Sequence, residues 1–200
     1  MGKRKGRRKC NKNGSGDENS SEPMYATIDR AGLKVHHVDP DGNCLFRAFA
    51  SQFYGDEEKH HEVRDSCCDY VQFEDPNFFE SFLEDQNLLD YVSDMRKTGT
   101  WGTQLEIVAL CRRYHVDCVI FRPDGLHYRI ECDKPDCEEV RIIMLSHHDE
   151  EHFNEVRFKE KGKVISSSDE LELLLSSNSE VRRKRGSRIL APQVSRIVDI

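Results

Sequence analysis

Asp41-Gly42-Asn43-Cys44 is the segment of this sequence best equipped for covalent chemistry. It ends a run of turn formers that begins at Asp39-Pro40. Beyond it, Phe46, Phe49, Ala50 and Phe53 recur at i, i+3, i+4 and i+7, one face of a helix. Cys44 therefore opens a helix, where unpaired N–H groups and the positive end of the dipole collect. That field favours thiolate, the reactive form of cysteine. The same N–H groups can receive a developing oxyanion, and Gly42 lets the backbone approach closely. A cysteine at a helix start is more often structural than reactive, so a partner base has to be found.

Nine histidines are available. His36, His37, His60 and His61 stand in exposed-looking contexts, His115 ends a helix, and His127 lies in a hairpin. His152 differs, because Asn154 follows two residues later and side chains at i and i+2 of a strand face the same way. Asn154 can hold the imidazole while His152 faces the thiol, the Cys-His-Asn arrangement of a thiol nucleophile. Asp41 is a second polar orienter, a stabiliser of the oxyanion region, or simply the carboxylate of the turn that starts the helix.

These residues must be positioned by the elements between them. Residues 24–31 are a predicted short helix stopped at Gly32, and Lys34 to Val38 alternates as a strand. A second helix is predicted over roughly 58–73, with Val63, Cys67, Tyr70 and Val71 on one face and Pro76 breaking it. Leu88, Val92 and Met95 mark a third, and Gly99 and Gly102 interrupt the chain around Trp101. Thr103-Gln104-Leu105-Glu106 forms a capping box before a helix with Ile107, Leu110, Cys111 and Tyr114 on one face. The period then changes. Val116 to Phe121 is a strand, Pro123-Asp124-Gly125 a tight turn, and Leu126 to Cys132 its hairpin partner. Val140 to Leu145 is a buried strand, and a polar loop, His147 to Glu151, leads to the strand at His152 to Val156. Helices first and strands later, around one core, give an α+β class with α/β-type layering.

Three blocks now stand out: Asp41 to Arg47, Gly99-Thr100-Trp101-Gly102 with Leu105, Glu106 and Ala109, and His152-Phe153-Asn154-Glu155-Val156. Together they resemble the ovarian-tumour (OTU) family of papain-like cysteine proteases, which cleave ubiquitin from proteins or from ubiquitin chains. The resemblance runs from residue 33 to residue 157. It implies a small central sheet flanked by helices, with Cys44 as nucleophile, His152 as general base and acid, and Asn154 as orienter. Asp41 matches an aspartate three residues before the nucleophile. Gly42 and Asn43 would form the oxyanion loop with their backbones, and Trp101 would wall the substrate cleft unless it is a core tryptophan. Phe153 stands where the family commonly has Tyr, and Asn154 where it often has Asp. The implied partner is ubiquitin or polyubiquitin, and no metal or cofactor is expected.

Charge supports this. Residues 1–12 hold seven Lys/Arg and no acid, and residues 181–200 hold six and one, so residues 13–180 carry −19 of a net −7. An acidic body disfavours nucleic acid as its ligand and suits a cationic segment such as the basic tail of ubiquitin. Glu or Asp residues in 56–98 are the candidates to pair with the arginines of that tail. The expected organisation is a disordered basic tail over 1–22, a catalytic domain over 23–158, and a polar, partly helical tail over 159–200 ending in a basic run. The basic ends, Lys3 to Lys9 and Arg182 to Arg185, are solvated tails or weak nucleic-acid, ribosome or nuclear-import signals. A fold that kept ubiquitin binding without turnover is the alternative function. Leu171 to Leu175 is a packing helix or a degenerate ubiquitin-interacting segment. Eight cysteines without any CxxC pair or secretion signal read as reduced core thiols, and Cys132 and Cys137 with His147 and His148 make only a weak zinc pattern. No apolar stretch is long enough to cross a bilayer. The expectation is a cytoplasmic monomer, nuclear if the basic ends direct import.

Overall fold

The computed structural model describes residues 23–83, 86–132, 140–148 and 152–160, with positions 162, 163, 165, 170 and 173–175. Both basic ends, Cys137 and Leu171 lie outside the described residues. The chain runs α1 (Pro23–Arg30), β1 (Leu33–His36), α2 (Cys44–Tyr54), α3 (His60–Asp69), α4 (Pro76–Glu80), α5 (Leu88–Met95), α6 (Gln104–Tyr114), β2 (Val116–Phe121), β3 (His127–Ile130), β4 (Arg141–His148) and β5 (His152–Phe158). The five strands form one sheet in the order β1-β5-β4-β2-β3. β2 and β4 are parallel, and the other pairs are antiparallel. This is the α+β class expected from the sequence.

The apolar runs of β2 and β4 follow from burial on both faces. Cys118, Ile120, Ile143 and Leu145 point into a core with Phe46, Phe49, Ile107 and Leu110 of α2 and α6. Val119, Phe121, Ile142 and Met144 point the other way, into a second core with Met24 and Ile28 of α1, Val156 and Phe158. Leu174 and Leu175 pack against this second core, while Leu173 is exposed.

Several local expectations are corrected. The stretch expected as one helix over 58–73 divides into a 3-10 turn at Glu57–Lys59, α3, and a π-helical turn at Tyr70–Glu74. Pro76 opens α4 at its first turn, where its missing N–H costs nothing. Where a polar loop is expected from His147, β4 continues through His147 and His148, because His148 pairs in register with His152 of β5; residues 149–151 lie outside the described residues. The β3 strand is shorter than predicted, His127–Ile130. His60, exposed-looking in the sequence, is buried, at 2% exposure.

The hairpin β2–β3 is fastened by a buried carboxylate. Asp117 Oδ1 accepts the Cys132 N–H at 2.8 Å and Oδ2 accepts Arg129 Nε at 2.9 Å. Asp117→Ala takes the carboxylate from a guanidinium and an amide together. It should cost about 2–4 kcal/mol in a urea titration. A loss below about 0.5 kcal/mol would show that this pair does not hold the hairpin.

Candidate active site

α2 begins at Cys44 because the chain must turn sharply there and because the inner face that follows Cys44 is apolar enough to be buried. Leu45, Phe46, Ala48, Phe49 and Ala50 are all inaccessible. Asn43 occupies the N-cap position yet makes no side-chain cap bond. Its amide oxygen is used elsewhere, accepting Gly99 N–H at 2.9 Å and Arg64 Nη2 at 2.8 Å. The turn itself is closed by Asp41, whose Oδ1 accepts Asn43 N–H at 2.9 Å. Arg47, one turn into the helix, grips Asp41 Oδ2 and also Glu58 at 3.0 Å. Burial alone would raise the Asp41 carboxyl, but the Arg47 guanidinium and the Asn43 N–H outweigh it and hold the pKa at about 2.

Gly42 has φ +82°, and a β-carbon there would sit 2.2 Å from the Gly99 carbonyl oxygen. The loop before Cys44 and the Gly99–Gly102 segment thus press backbone against backbone, which only a glycine permits.

β5 lies directly beneath the start of α2. The Phe153 N–H donates to Cys44 Sγ at 3.5 Å, and Ser51 Oγ donates to Glu155 Oε2 at 2.8 Å further along the helix. The fold thus brings together two segments 108 positions apart, the helix that opens at Cys44 and the strand that starts at His152. On that strand His152 Nε2 lies 3.0 Å from Asn154 Oδ1, the i, i+2 pair read from the sequence. Asn154 is buried, and the same Oδ1 accepts the Val38 N–H at 3.0 Å. That main-chain donor fixes which end of the amide faces the ring. Facing an acceptor, Nε2 carries the imidazole proton, and Nδ1 keeps its lone pair. Asp41 does not touch the ring; it is committed to the turn and to Arg47. Trp101 is 52% exposed, so it is not a core tryptophan. Among the described residues no cluster of three His, Cys, Asp or Glu could hold a metal.

Burial pushes the Cys44 thiol above its ordinary value, although N–H groups of Phe153 and Leu45 work against it. Burial likewise lowers the His152 pKa, against the Asn154 hydrogen bond. Desolvation therefore outweighs the helix-start field expected from the sequence. The resting pair is a neutral thiol and a neutral imidazole able to accept a proton.

The family model described as OTU-like cysteine protease matches residues 39–153. The chain belongs to this OTU family. Among curated proteins it is similar to OVARIAN TUMOR DOMAIN-containing deubiquitinating enzyme 7 of Arabidopsis thaliana, 36% identical over 136 residues, which are 68% of this chain and 36% of that protein. It is 29% identical over 154 residues to human OTU domain-containing protein 4, covering 77% of this chain and 14% of that one. The chain thus spans well under half the length of these relatives. Its fold is that of solved OTU domains. The OTUD1 OTU domain superimposes with a TM-score of 0.58 at 21% identity, covering 68% of this chain and 92% of that one. An OTU domain in complex with ubiquitin gives 0.57 at 20%, covering 78% and 90%.

Arg64 and Arg47 are the two site residues that sequence reasoning misses. Arg47 closes the block Asp41 to Arg47 with no role assigned to its side chain, and Arg64, at the edge of the apolar face of Cys67 and Val71, carries a charge for which solvent is the natural expectation.

Two outcomes test this site. Gly42→Ala forces a side chain into a left-handed backbone against Gly99 and should cost about 2 kcal/mol in urea unfolding; an unchanged midpoint would contradict the close approach. With a raised thiol and a lowered imidazole, alkylation of Cys44 by iodoacetamide should keep climbing with pH through about 9. A plateau reached below about pH 7 would instead reveal a stable thiolate.

Proposed function

We propose that this chain is a thiol-dependent deubiquitinase that hydrolyses the isopeptide bond after the C-terminal glycine of ubiquitin. The observation that carries the reading is the seating of Cys44 on β5, with Asn154 orienting His152 at the head of that strand. The Arabidopsis relative is named a deubiquitinating enzyme, and one OTU domain of the same fold was solved with ubiquitin. Both support ubiquitin as the substrate, as does the −19 carried by residues 13–180 against a basic tail.

In this mechanism His152 Nδ1 takes the Cys44 proton as Sγ attacks the glycine carbonyl carbon. Backbone amides at the start of α2 receive the oxyanion. The Asn43 N–H is already given to Asp41, so the burden falls on its neighbours. His152 then delivers the proton to the lysine ε-nitrogen as the C–N bond breaks, leaving a thioester on Cys44. Water attacks that thioester after giving a proton to His152. The C–S bond breaks, the ubiquitin carboxylic acid departs and loses its own proton to solvent, and the sulfur recovers the proton held by His152. Asn154 keeps Nε2 protonated throughout, so Nδ1 alone shuttles. As a neutral amide it lends the imidazolium less charge support than an aspartate would. Trp101, exposed beside the Cys44 loop, walls the groove for the glycine tail.

A ubiquitin C-terminal electrophile should label the protein at Cys44, and Cys44→Ala should abolish labelling and cleavage of di-ubiquitin. Asn154→Ala should lower kcat by about 10²-fold. Labelling that survives Cys44→Ala would overturn the assignment. Binding of ubiquitin without hydrolysis of any linkage would mark the chain as an adaptor instead.

A further inference from the structure

Arg64 is 1% exposed, among the largest side chains that the protein buries completely. Burying a guanidinium is expensive, and the usual compensation is a carboxylate in contact. Every oxygen that Arg64 bonds is neutral instead. Nη1 donates to the Met95 carbonyl at 2.8 Å, and Nη2 lies 2.8 Å from Asn43 Oδ1, 2.8 Å from the Thr100 carbonyl and 3.2 Å from the Gly42 carbonyl. Its plane rests on the Phe46 ring, 4.1 Å from the centroid. These acceptors belong to the two segments that press together in front of Cys44: residues 42–43 and residues 95–100.

The bond to Gly42 has a directional consequence. In a planar trans peptide, C=O and N–H point opposite ways. Arg64 takes the Gly42 oxygen from inside, and Asp41 takes the Asn43 N–H from the other side. The Gly42–Asn43 peptide, one before the bond to Cys44, is therefore held at both edges. We propose that Arg64 is a positioning residue, which locks this peptide and the Gly99–Thr100 segment so that the loop meets the substrate carbonyl already arranged. This rests on the deubiquitinase reading for its kinetic consequence, but not for its structural one.

Arg64→Lys keeps a cation but cannot reach all four acceptors. In the folded variant, kcat for a fluorogenic ubiquitin C-terminal amide should fall by about 10²-fold, the scale of a misplaced oxyanion donor. KM and the rate of Cys44 alkylation by iodoacetamide, a reaction that develops no oxyanion, should stay within about threefold. Amide hydrogen exchange should quicken over 41–46 and 95–101 alone. A folded R64K protein with kcat within about threefold of wild type, or one with exchange quickened throughout α3 and the sheet, overturns the proposal. If R64K does not fold, Asn43→Ala removes the shared acceptor, and the same measurements on it uphold or overturn the proposal at the same thresholds. If the wild type cleaves no ubiquitin substrate, the deubiquitinase reading fails separately. Exchange then decides alone: quickening confined to the two segments upholds the lock, and unchanged or global exchange refutes it.

Discussion

The first turn of α2 sits on β5, and the rest of the molecule is arranged to make that contact unavoidable. α2 is apolar enough to be buried along its inner face, so it must lie against the sheet. β5 occupies the position between β1 and β4, so the strand carrying His152 is paired on both sides and cannot slip. A one-residue shift of β5 would turn His152 and Asn154 to the opposite face together. The same register sends Val156 and Phe158 into the α1-side core, which penalises such a slip with several buried apolar groups. Packing of Val156 and Phe158, on the face that Asn154 shares, thus holds the register of the chemistry.

The electrostatics of the site follow from the same burial. A cysteine at a helix start would ordinarily be drawn toward thiolate, and Cys44 instead rises because it is 5% exposed against Phe153 and the strand beneath it. Asp41 is bonded to Arg47 and to the turn and acts on the imidazole only through its charge at longer range. The group that bonds His152 is a neutral amide oxygen. The arrangement disfavours a preformed thiolate–imidazolium ion pair, and it keeps the thiol in its less oxidisable form.

Much of this is legible in the sequence. The i, i+2 spacing of His152 and Asn154, the turn before Cys44 and the capping box at Thr103 each depend on neighbours in sequence, and each appears in the structure. The break within 58–73 is not legible, because the apolar spacing there is helical throughout, whereas the π turn at Tyr70 depends on packing against α5 and α6. The full length of β4 is hidden because His147 and His148 look like loop residues until their pairing with β5 is known. Arg64 is unreadable because a polar side chain is assigned to solvent unless its distant acceptors are known, and those of Arg64 come from two separate stretches of chain, 42–43 and 95–100.

The antiparallel union of β1 with β5 has a temporal side. The first strand of the sheet to leave the ribosome waits for the last before it has a neighbour. Until residues near 158 have emerged, His152 has no framework and the Val38 amide has no Asn154 to receive it. Contacts of such long sequence separation close late. A chain wired in this way completes the setting of His152 only once synthesis has passed the final strand of the sheet.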